Sequence, residues 1–133
     1  MQHASNTLSP PTYTLSEGAL NILIESNAMK KVLLSQDLRR NWRERGGISI
    51  GFAEAPTRPS RPNRPKLLPP KDMPRRRPNS KKGRLALMHA IAHIELNAID
   101  LAWDLIIRFR NEKLPKEFYD DWVEVGADEA RHF

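Results

Sequence analysis

Eight of the eleven prolines in this 133-residue chain fall between Ala55 and Arg84, and none falls between Leu85 and Arg110. Proline fixes φ and removes a backbone donor, so the first stretch is barred from helix and central strand while the second is free to form one long helix. The chain therefore divides into three parts: an N-terminal helical segment over 1–54, an extended Pro/Arg-rich strap over 55–84, and a helical segment over 85–133. Within the strap Pro56, Pro59, Pro62 and Pro65 recur every third residue, the period of a polyproline II turn. Arg58, Arg61 and Arg64 stand directly before the last three of them.

Charge is as unevenly placed as proline. The strap holds eleven Lys or Arg against the single acid Asp72, whereas the whole chain carries 22 basic and 16 acidic residues for a net charge of +6. The remainder is thus mildly acidic, and the basic character belongs to the strap. Nucleic acid is a conceivable partner for such an arm, but no Phe, Tyr or Trp lies in 55–84 to stack on bases, so a solvated surface strap is the favoured reading. Cysteine is absent, which excludes disulfides, thiolate nucleophiles and thiolate metal sites, and leaves His and carboxylates as the strong metal ligands. The N-terminus lacks a basic n-region and an apolar h-region, and no run of eighteen apolar residues occurs; a cytoplasmic protein without membrane contact is expected.

Local signals place the helices. Thr14-Leu15-Ser16-Glu17 is a capping box, followed by an apolar stripe of Leu15, Ala19, Ile22 and Leu23. A second short helix through Leu34, Leu38 and Trp42 should end before Gly46-Gly47. From Leu85 to about Arg110, Met88, Ile91, Ala98, Ala102, Leu105, Ile106 and Phe109 recur at steps of three and four, which predicts a long helix. Pro115 opens the next helix, acids fill its first turn, and Phe118, Trp122 and Val125 form its stripe. The short connection makes the two an antiparallel hairpin.

Extending those stripes brings in charged residues. Glu95 falls between Ile91 and Ala98, and Glu129 and His132 continue Phe118, Trp122 and Val125. An unpaired buried carboxylate requires a cation, a proton or a metal. Counted from the connection, Glu95 lies roughly 24 Å and Glu129 roughly 21 Å along their helices at 1.5 Å per residue, so the two are level. Glu129-x-x-His132 sets a carboxylate and an imidazole on one face, and Glu95 meets them from the facing helix. The pattern is half of the site found in di-iron or di-manganese carboxylate bundles. His89 and His93 stand at i, i+4 on the first helix but away from Glu95, where they suit packing or the orientation of a ligand better than ligation.

The segments "LALMHAIAHIELNAIDLAWDLIIRF" and "LPKEFYDDWVEVGADEARHF", with the preceding "APTRPSRPNRPKLLPP", resemble the ferritin-like family catalogued as domain of unknown function 455. The resemblance implies an all-α, ferritin-like helical bundle, here its amino-terminal half: a long antiparallel hairpin, small N-terminal helices and the strap. It implies that Glu95, Glu129 and His132 are metal ligands for iron or manganese, in a di-metal site of oxidase or hydroxylase type completed by a further Glu helix and a second Glu-x-x-His. This sequence departs from that pattern in lacking the second set, and in placing Gly126 in mid-helix, at an expected cost of about 1 kcal/mol against Ala. His3, in an unpatterned N-terminus, cannot stand in for the missing ligands. Two other functions follow from the same residues: a non-catalytic truncated fragment or partner-binding helical module, and a homodimer whose two-fold axis supplies the second Glu and Glu-x-x-His.

Overall fold

The structure, a computed structural model, describes residues 12–63, 70–72, 77, 79–109 and 112–133. Among the described residues it is an all-α bundle of four α-helices: α1 (Leu15–Ile24), α2 (Ala28–Arg40), α3 (Lys81–Arg108) and α4 (Lys116–His132). No strand occurs among the described residues. His3, Arg64, Pro65 and Arg110 lie outside them.

The capping box forms as the sequence predicts. Thr14 Oγ1 accepts from the Glu17 amide and Glu17 reaches back to the Thr14 amide. Two more of the amides that a helix start leaves unpaired are satisfied across the chain, Leu15 N–H donating to Ser49 and Ser16 N–H to Ile50. Asn27 caps α2 through Lys30 N–H, and a π turn at Asn41–Arg45 follows. Gly46 and Gly47, at φ 68° and 77°, then end the element in a conformation that costs glycine nothing.

The strap carries neither helix nor strand from Ala55 to Asn63 and meets the end of α1, with Ser60 N–H donating to the Leu23 carbonyl. Arg108 Nη2 donates to the Pro56 carbonyl, fastening the strap to α3 as well. Two boundaries differ from expectation. Pro70–Asp72 forms a 3-10 turn inside the stretch expected to be wholly extended, and α3 starts at Lys81 rather than Leu85. The cause of the early start is Ser80, whose side chain accepts from Gly83 N–H as an N-cap. Glycine is required there because a Cβ would lie 1.7 Å from the Arg77 carbonyl oxygen.

α3 and α4 are antiparallel, and α1 and α2 form a second antiparallel pair laid against them. The core between the pairs comprises Leu15, Ala19, Ile22, Leu23 and Leu38 with Leu96, Ile99, Trp103, Ile106, Ile107, Tyr119, Val123 and Ala130. Gly126 proves necessary rather than costly. A Cβ there would sit 2.7 Å from Trp103 Cε2, so the glycine lets α4 close onto the indole, whose Nε1 donates to Ser35 Oγ at 2.9 Å. One charged pair is sealed into this core: Lys31 Nζ, fully buried, donates to Asp100 Oδ1 at 2.6 Å and to the carbonyls of Ile22 and Leu23 at 3.0 and 3.3 Å.

The apolar stripe read along α3 needs correction. Ala102 and Ile106 of that stripe are buried, but Met88, Ile91 and Phe109 are exposed, and the buried face is completed by Leu96, Ile99, Trp103 and Ile107. α3 is apolar on two sides, and the three-and-four spacing drew its stripe across both.

Candidate metal centre

Glu95 sits midway along α3 at the border between its two apolar sides. Glu129 and His132 occupy the last turn and a half of α4, on the side turned from α2. The antiparallel register brings all three together, as the count along the hairpin predicts: one ligand atom from each lies within 4.8 Å of the others. His132 Nδ1 is 3.4 Å from Glu129 Oε2 and 3.9 Å from Glu95 Oε2. The expectation that these acids point into a closed core is not met. Their side chains are 24 % (Glu95), 28 % (Glu129) and 49 % (His132) exposed, because no helix among the described residues covers this side of the hairpin.

The electrostatics of the group are unusual for a surface. Among the described residues no Lys or Arg pairs with either carboxylate; His132 alone offers them a positive charge, and only when protonated. Glu129 presses on Glu95, by hydrogen bonding first and then with partial desolvation and like charge, and raises its carboxyl above the ordinary range, while His132 acts in the opposite direction. Two carboxylates beside an imidazole make a donor set of hard oxygens and one nitrogen. Such a set suits iron, manganese or zinc, and binding a divalent cation removes the repulsion that lifts Glu95.

His89 is exposed and His93 half-buried, and neither hydrogen-bonds to Glu95, Glu129 or His132. At about 100° per residue they lie more than a quarter turn around α3 from Glu95. Arg61, counted above with the basic arm, turns inward: its Nη2 donates to Asn97 Oδ1 and its charge acts on Asp100. A groove of about 410 Å³ between α2 and α4 contains none of the three candidate ligands, and its Arg39 is already paired with Glu44 and Glu124. The buried Lys31–Asp100 pair escaped the sequence reading altogether. Its signal was an aspartate inside an apolar face of α3, one residue after Ile99.

Fold and cluster together define a class, an all-α bundle with two carboxylates and an imidazole drawn from adjacent antiparallel helices. The family described as "Protein of unknown function (DUF455)" matches residues 24–133, and the chain belongs to it. An uncharacterized protein of Haemophilus influenzae is 46% identical over 77 residues, which are 54% of this chain and 27% of that relative. The match thus spans about a quarter of the relative's length. No solved structure matches. No helix among the described residues is long and apolar enough to cross a membrane.

Proposed function

We propose that this is a ferritin-like metal-binding protein in which Glu95, Glu129 and His132 form half of a carboxylate-bridged di-iron or di-manganese centre. The observation that carries this reading is the approach of two carboxylates and an imidazole, one ligand atom from each within 4.8 Å of the others, with no Lys or Arg paired to either carboxylate among the described residues. Glu95 and Glu129 would give oxygen donors, and His132 would give a nitrogen donor. When bound, such a metal pair supplies redox chemistry of oxidase or hydroxylase type. The chain's own contribution is to hold helix spacing through Gly126 and Trp103, so that the three donors stay level, and to keep cationic side chains away from them.

Metal content and Mn(II) titration calorimetry test the reading. Wild type should bind Mn(II), Glu129→Ala should lose it, and Asp128→Ala, one residue away and exposed, should keep it. Wild type that binds no Mn(II) or Fe(II), or Glu129→Ala that binds as tightly as wild type, would overturn it.

A further inference from the structure

Parts of α1, α2, α3 and the strap meet around one carbonyl. Leu23 O, at the end of α1, accepts from Lys31 Nζ of α2 at 3.3 Å and from the Ser60 amide of the strap at 2.7 Å. The same ammonium donates to Asp100 of α3 at 2.6 Å. Ser60 therefore stands against the buried ion pair, joined to it through a shared acceptor. Its neighbour Arg61 reaches the same side of α3, where Nη2 donates to Asn97, three residues before Asp100.

The polar groups at this junction are only partly matched. Asp100 spends Oδ1 on Lys31, while its buried Oδ2 has no hydrogen-bond partner among the described residues, and the buried Nη1 of Arg61 is in the same condition. One is an acceptor without a donor and the other a charged donor without an acceptor, and each costs free energy while water is shut out. Arg61 favours the ionised form of Asp100 and opposes the ammonium of Lys31, so the two cations share one carboxylate. Closure is thus opposed by the desolvation of what it encloses.

Few bonds resist that opposition. The strap is held here by the Ser60 amide and by Arg61, and again at Pro56, whose carbonyl accepts from Arg108 about three helical turns further along α3. Thr57 and Arg58 between these fastenings are exposed. A short stretch held at two points over a partly unsatisfied charged group has the character of a segment that opens well below the free energy of global unfolding.

We propose that Ser60-Arg61 is a gate over Lys31: this stretch of the strap lifts as a unit while the helices stay packed, and its lifting is what admits water and small reagents to the Lys31–Asp100 pair. The gate stands independently of the metal reading, since it shares no residue with Glu95, Glu129 or His132.

Two measurements on the 133-residue chain test it: hydrogen exchange of the Ser60 amide, and native acetylation of Lys31 by N-acetoxysuccinimide, referred to the exposed Lys30 beside it. Both should be nearly independent of urea below the unfolding transition, whereas exchange of the buried Ile99 and Trp103 amides accelerates with it. Arg61→Met should keep the helical circular dichroism of wild type and speed Ser60 exchange and Lys31 acetylation by one common factor. That factor is about 10- to 100-fold for a lost hydrogen bond from a charged group. Asn97→Ala should speed both by a smaller common factor, and Arg58→Met should change neither. Lys31 acetylation that climbs with urea as the Ile99 amide does, or that Arg61→Met leaves unchanged, overturns the gate. Faster Ser60 exchange without faster acetylation also overturns it, because the strap would then move without opening the pair.

Discussion

Lys31 and Asp100 offer a quantitative test of how this bundle is held together. The ammonium is fully buried and the carboxylate side chain 5 % exposed, so desolvation lowers the Lys31 pKa and raises that of Asp100, each partly restored by the 2.6 Å contact with the other. Lys31→Met leaves Asp100 with no cation except the more distant Arg61, and Asp100→Leu leaves the ammonium with two carbonyls. Removing one partner of such a pair costs about 3–5 kcal/mol, whereas replacing both by apolar groups of similar volume is often neutral or stabilising. The Ile22 and Leu23 carbonyls do not enlarge the loss, because they also accept from the amides of Glu25 and Ser60. With a total stability of about 5–15 kcal/mol and roughly 3–5 °C of melting temperature per kcal/mol at this size, each single substitution should lower Tm by about 10–20 °C. The double variant Lys31→Met/Asp100→Leu should melt closer to wild type than either single one. Urea denaturation followed by circular dichroism closes the cycle. If either single substitution costs under about 1 kcal/mol, or the double one costs the sum of the two, the pair is not an interdependent buried unit.

Gly126→Ala should lower stability by about 1–3 kcal/mol in thermal melts despite its better helix propensity, because the new methyl meets the packed face of Trp103; an unchanged or raised Tm would show that α4 can shift away at no cost. Asp120 is held below its ordinary value of 3.8 by Lys116, Trp42 and Arg43, so its contribution to stability is present above that pH and is lost as pH falls through the lower folded value. Asp120→Asn should therefore flatten the acid limb of the stability profile and leave the neutral-to-alkaline limb parallel to wild type; an acid limb as steep as before would remove Asp120 from the account.

Features set by neighbouring residues were legible in the sequence. The Thr14–Glu17 box, the Gly46-Gly47 stop and the α3–α4 hairpin depend on contacts within a few positions, and the level placement of Glu95 with Glu129 follows from helix rise alone. The phase of α3 was legible only in part, through Ala102 and Ile106, because a helix with two apolar sides satisfies the three-and-four spacing twice. Only the docking of α1 and α2 decides that Leu96, Ile99 and Trp103 face inward and Ile91 outward. Lys31 was hidden for a related reason. In sequence it follows Lys30 near a helix start and looks solvated, and its partner lies 69 residues away. Gly126 looked like a weak point since propensity counts only its own helix, whereas its purpose is to admit an indole from another.

The strap has a consequence for how the chain reaches this fold. α1–α2 and α3–α4 are each local hairpins, able to form on the timescale of short-loop closure, while the contacts that join them span some seventy residues. Docking must therefore close a loop that contains the whole Pro/Arg stretch. The entropy of closure grows only with the logarithm of length, about 0.6 kcal/mol per doubling, so residues inserted in the strap should slow assembly slightly and leave the assembled bundle almost as stable. Held to α1 through Ser60 and to α3 through Pro56 and Arg61, the strap ties the first hairpin to the second by these anchors rather than by its length.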